Sequence, residues 1–151
     1  MLRKLALVLA SAALFAAPSK PNFSGKWLLD ERRSSRDAPP ALMETIDHRE
    51  PAVRIDSEWD HNLATGITNA ALLAPAMRLT TDGTDATSEM PLGLSLATKS
   101  HWEGNKLVTE WRVSGLQRPL SGTWTRYLTG PSTMVVEAVA GQSRQRLVFA
   151  K

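Results

Sequence analysis

The sequence predicts an all-β protein, an antiparallel up-and-down barrel of eight to ten strands. Two patterns carry that expectation. Short stretches of alternating apolar and polar residues recur at nearly regular spacing, broken by turn-forming groups such as Asp82-Gly83, Glu103-Gly104-Asn105 and Gly130-Pro131. These stretches also follow one another through short connections, the order in which a meander closes on itself, and closure removes the edges an open sheet would expose. A closed wall of that size can hold one small ligand.

The first strand is expected over residues 23 to 29, where Phe23-Ser-Gly-Lys-Trp27 puts Gly25 and Trp27 on one face and Lys26 on the other. Glycine leaves room there for another strand or side chain to cross closely, beside an indole that fills the remaining space. Asp30 to Pro40 reads as a polar surface crossing, stiffened by Pro39-Pro40. Leu42, Glu44, Ile46 and His48 share one face of a second strand; Val53, Ile55, Ser57 and Trp59 share one face of a third, joined to it by a hairpin through Pro51. Residues 60 to 76 do not alternate. Asn69 could cap one helical turn stopped before Pro75, and the apolar Leu72-Leu73 suggests a flap over one end of the fold, with a disordered loop as the alternative. Beyond Met77 the pattern regains its regularity: Arg78 to Thr81 turns through Asp82-Gly83 into Asp85 to Met90, and then come Leu94–Glu103, Leu107–Ser114, Leu120–Leu128, Met134–Val139 and Arg144–Phe149.

Residues 1 to 19 read as a signal peptide rather than as part of the fold. Arg3 and Lys4 precede an apolar run, Leu5 to Ala17, too short to span a bilayer comfortably and ending in small residues; cleavage after Ala16 or Ser19 fits equally well. The remaining chain, 20 to 151, suits one domain in a periplasmic or secreted protein, with no stable membrane insertion once the signal is removed. The whole chain carries 18 basic and 15 acidic residues, net +3, and loss of Arg3 and Lys4 leaves an excess of one. A nearly neutral domain lacks the basic surplus of a nucleic-acid binder, and Arg32, Arg33 and Arg36 are flanked by Asp30, Glu31 and Asp37 as in a solvated loop. There is no cysteine, which excludes disulfides, thiolate metal ligands and a cysteine lipid anchor.

The segment Asn22-Phe-Ser-Gly-Lys-Trp-Leu-Leu-Asp30 resembles the Gly-x-Trp opening of lipocalins and related calycin barrels. With Ile46-Asp-His-Arg-Glu-Pro51, Thr80-Thr-Asp-Gly83, His101-Trp-Glu-Gly-Asn-Lys-Leu-Val108 and Gln145-Arg-Leu-Val-Phe149, the chain is similar to small exported bacterial lipocalin-like proteins. That resemblance implies a barrel closed at one end by Trp27 beneath an arginine near the chain end, Arg146 being preferred to Arg144. It departs from lipocalins in lacking their cysteines and in residues 60 to 76.

Candidate chemistry is sparse. Asp47-His48 and Asp60-His61 are adjacent in sequence, so a regular strand would point their side chains to opposite faces, and the histidines lack metal-site spacing. Gly93-Leu-Ser95 lacks the strand-to-helix turn a nucleophile elbow needs. Trp59, Trp102, Trp111 and Trp124 lie on faces shared with aliphatic residues; they either fill the core or line a cavity for a small hydrophobic ligand, with Arg126 or Arg112 placing an acidic headgroup. The expected function is non-covalent binding of a small hydrophobic or amphipathic molecule, with no metal and no cofactor. Two alternatives stand beside it: a cavity-less envelope interaction module, and a barrel isomerase or cyclase using His48 and Glu44 as acid and base. The sequence leaves the oligomeric state open.

Overall fold

The strands form in chain order: β1 (Gly25–Leu29), β2 (Met43–Arg49), β3 (Ala52–Glu58), β4 (Ala76–Thr80), β5 (Asp82–Glu89), β6 (Ser95–Glu103), β7 (Lys106–Ser114), β8 (Leu120–Gly130), β9 (Thr133–Ala140) and β10 (Ser143–Ala150). The computed structural model describes residues 19–59 and 74–151. The expected signal peptide up to residue 18, and Asn69, Leu72 and Leu73 of the expected flap together with His61, lie outside the described residues.

All ten strands make one antiparallel sheet in the order β4-β3-β2-β1-β10-β9-β8-β7-β6-β5. The two ends of the chain meet in its middle, where Leu28 faces Ala150 and Leu29 faces Phe149. The sheet curls until its edges, β4 and β5, face each other across a seam bridged by side chains. Arg78 N–H donates to Ser88 Oγ (2.9 Å) and the Thr98 hydroxyl donates to the Arg78 carbonyl (3.4 Å). The expected up-and-down barrel is what the chain forms, nearly closed.

One turn falls elsewhere than expected. The connection between β4 and β5 is at Thr81, whose N–H bonds the Pro51 carbonyl (2.8 Å), and Asp82 already pairs with His101. Gly83, at φ 82°, sits in the irregularity between Asp82 and Asp85. An Asp-Gly pair supplies the left-handed conformation that a bulge needs as readily as the one a hairpin needs.

Period-2 alternation divides each strand between the inner and outer walls. The inner wall is closely filled: Leu96, Leu107, Met134, Leu147 and Phe149 are 0–1 % exposed. Side chains, rather than an open hollow, therefore occupy the middle of the barrel. Outside, the surface crossing after β1 is fastened to β10 by two serines. Ser34 Oγ accepts the Val148 N–H (2.9 Å), and Ser35 Oγ accepts the Arg146 N–H (2.8 Å).

Candidate functional site

The two ends of the barrel differ in chemistry. One end, formed by the β2–β3, β6–β7 and β8–β9 hairpins, is plugged by the residues before β1. Trp27 is buried there, its indole N–H donating to the Phe23 carbonyl (2.8 Å). The cation over its ring is Lys151, with Nζ 5.1 Å from the centroid and also bonded to the Ser24 carbonyl (3.0 Å). This corrects the expected arginine. In β10 the buried residues Gln145, Leu147 and Phe149 face inward, so Arg144 and Arg146 fall on the outer wall; Lys151 has the inward parity. Arg146 instead stands opposite Glu137. Gly25, at φ 136°, is where the Lys151 stem crosses β1, and a side chain there would collide with it.

Trp102 and His48 belong to the same plug. The rings of Phe23, His48 and Trp102 stack with centroids 5.6 to 6.1 Å apart. His48 Nδ1 accepts the Phe23 N–H (3.1 Å), so the neutral ring carries its proton on Nε2, which faces Glu50 (2.8 Å). Glu50 also accepts the Thr81 hydroxyl and the Trp102 indole N–H (3.1 Å). Partial burial alone would raise the Glu50 carboxyl, but the Thr81 hydroxyl, then the His48 ring and the Trp102 N–H, outweigh it and hold the group below its ordinary 4.5. Both nitrogens of His48 are engaged in the plug, and Glu44 is not its partner; the expected His48–Glu44 acid–base pair does not form. His101 lies on the surface beside Glu103 (3.0 Å). Among the described residues no three His, Asp or Glu side chains gather as a metal site would require.

At the other end lie the β7–β8 and β9–β10 turns, and the remaining candidates lie in the half of the interior beneath it. Trp111 and Trp124 stack, with centroids 5.6 Å apart and planes 25° from parallel. Gly122, directly across from Trp111 on β8, leaves the space the indole occupies. Trp59 is half-buried against the same core. Among the described residues, neither buried indole N–H, Trp111 Nε1 or Trp124 Nε1, has an acceptor, and Ser57 Oγ and Gln145 Oε1 are likewise unpartnered. Two residues beyond Trp124 on the same face, Arg126 donates to Glu44 across the barrel, from Nη1 to Oε2 (2.6 Å) and Nη2 to Oε1 (3.4 Å), with Met134 Sδ 3.3 Å away. Both partners are almost wholly buried, at 4 % and 2 % exposure. Arg126 is thus neutralised inside the protein, and Arg112 lies on the outer wall, in a groove of about 470 Å³ that Asp85, Lys99 and Glu110 also line.

The five ligand-binding candidates therefore divide. Trp111, Trp124 and Arg126 share one stretch of inner wall, Trp59 packs half-buried against the core, and Trp102 is in the plug at the opposite end. Sequence reading missed the partnership of Glu44 with Arg126. Its signal was present, since each is a charged residue at an inward position between apolar neighbours.

No family model matches the chain, and no curated protein resembles it in sequence. Solved structures do resemble it in shape. The lipid binding protein 8 (LBP-8) of Caenorhabditis elegans aligns at 12 % identity and a TM-score of 0.62, over 85 % of this chain and 94 % of that one. The fold is that of a lipocalin-like barrel. A further barrel of this kind, human cRBP IV, matches at 11 % identity and a TM-score of 0.60, covering 87 % of this chain and 98 % of that one. A REP1-NXSQ fatty acid transporter matches at 12 % and 0.59, over 85 % and 94 %. This lipocalin-like barrel differs from a hollow container in the tight packing of its inner wall.

Proposed function

We propose that the protein is an exported lipocalin-like barrel, akin to the small bacterial proteins its motifs resemble, that binds one small hydrophobic or amphipathic molecule non-covalently. The observation that carries this reading is the stacked, buried Trp111–Trp124 pair, whose two N–H donors are withdrawn from water and left without acceptors. A buried donor left unpaired costs about 1–3 kcal/mol, which a ligand can return on binding. The lipid-binding names of the structural neighbours agree with it at the level of fold. Because the inner wall is so nearly filled, the ligand is compact and takes the place of a side chain as it enters from the end opposite the plug.

The leader-like run from Arg3 to Ala17 supports export to the periplasm or medium. Expression of the full chain followed by mass analysis of the exported form tests this; a chain retaining Met1 inside the cell would refute it. Binding is tested with N-phenyl-1-naphthylamine, an uncharged dye that brightens in apolar surroundings. Saturable one-to-one binding, with energy transfer from tryptophan, is expected. A flat titration would favour a second reading, an envelope interaction module without a cavity, which the 0–1 % exposure of the central inner-wall residues already favours.

A further inference from the structure

We propose that the interior site selects an uncharged ligand, a flat apolar body bearing a ketone, quinone, ester or amide acceptor, and rejects the corresponding carboxylate. The inference rests on the binding reading above and names the class of molecule.

Charge decides the first half. Arg126 is a buried guanidinium, the group expected to hold an acidic headgroup, but Glu44 already occupies it at 2.6 Å. An incoming carboxylate has two courses. It can share the guanidinium with Glu44, which places two like charges side by side away from water. It can instead displace Glu44, which leaves a buried carboxylate without its counter-charge. Both are strongly unfavourable, because burial removes the solvent that would otherwise screen the repulsion or solvate the orphaned ion. An uncharged ligand leaves the pair undisturbed.

Hydrogen bonding decides the second half. An indole N–H can only donate, so the group that satisfies Trp111 Nε1 or Trp124 Nε1 must offer a lone pair. Trp124 and Arg126 are two residues apart on the inner face of β8, which puts the unpartnered donors and the neutralised pair on one wall. The two indole planes lie 25° apart, a stack that a flat ring extends more readily than a flexible chain fills. Donors without acceptors, beside a cation already paired with a carboxylate, describe a site for a neutral acceptor.

The test uses three probes with one ring system on the full folded chain at pH 7.5: naphthalene, methyl 2-naphthoate and 2-naphthoate. Affinities are read by quenching of tryptophan fluorescence and checked by calorimetry. The ester is expected to bind at least about tenfold more tightly than the acid. Since partitioning alone favours an ester, the deciding measurement is Glu44→Gln. Freeing Arg126 of its counter-charge should raise acid affinity about tenfold relative to ester affinity. Should that variant fail to fold, Trp111→Phe and Trp124→Phe supply a second measurement. Loss of an N–H should weaken the ester about fivefold more than it weakens naphthalene, which loses only stacking area. Acid binding as tight as ester binding in the wild type, or an unchanged acid-to-ester ratio in Glu44→Gln, overturns the selectivity while leaving the binding reading intact. If none of the three probes binds, both fall together.

Discussion

Gly122 is the position where the fold can be challenged most sharply. A methyl group added there would stand 2.7 and 3.0 Å from Trp111 Cζ2 and Cε2, and closer still to the Val139 carbonyl oxygen. The indole could rotate away, but the carbonyl belongs to the β8–β9 ladder, where Val139 is paired with Thr123, and cannot move without opening it. Overpacking a well-filled interior costs about 1–3 kcal/mol, and an obstacle made of backbone puts Gly122→Ala near the upper value, about 3 kcal/mol. For a domain of this size that lowers the melting temperature by about 10 °C. Gly130→Ala is the matched control: it lies in the same strand, and an added methyl would meet nothing within 4 Å. Its stability should stay within about 0.5 kcal/mol of wild type. Thermal melts followed by circular dichroism read both. A Gly122→Ala protein melting within about 2 °C of wild type would refute the close approach of β8 to β9 and Trp111 on which the stacked pair depends. Combining it with Trp111→Ala should recover little, because the carbonyl, not the ring, is the firmer obstacle.

The plug gives two further expectations. The Glu50 carboxyl is held below 4.5 in the folded state, so its contribution to stability is present above the unfolded value and is lost as the pH falls through the folded one. Thr81→Val removes one donor, and should lower stability near pH 7 by less than about 1 kcal/mol, a modest value because the Glu50 side chain is 47 % exposed. Denaturant melts should show the two proteins converging below pH 4.5; a constant gap across that range would remove Glu50 from the account. Lys151→Met takes the cation from the face of Trp27, with an expected loss of about 0.5–1 kcal/mol and a change in Trp27 emission. Arg146→Met should leave that emission unaltered, and the reverse result would restore the arginine to the plug.

What could be read from the sequence was what period-2 alternation and turn chemistry determine. The barrel, its strand order, and the shared faces of Trp111 and of Trp124 with their aliphatic neighbours follow from residues that alternate without interruption. Which face turns inward, and so the choice between Arg126 and Arg112, needs the closed sheet. The errors arose where alternation was set aside. The resemblance points to an arginine near the chain end, although Gln145, Leu147 and Phe149 assign Arg146 to the outer wall and make Lys151 the next inward cation. Asp82-Gly83 reads as a hairpin because its left-handed preference is common to turns and bulges, and only the pairing of Asp82 with His101 separates them. The ion pair was harder to find, since Glu44 and Arg126 stand 82 residues apart and meet across the interior rather than along a ladder. Even so, a charged residue at an inward position needs a partner of opposite sign, because an unpaired charge there would be too costly to keep. Glu44 and Arg126 are the carboxylate and the guanidinium at buried inward positions among the described residues, so alternation together with charge balance would have paired them. The same reasoning turns the site away from fatty acids. A barrel that has supplied its own carboxylate to its buried arginine has no further need of one from a ligand, and what its interior still lacks is an acceptor for two indole protons.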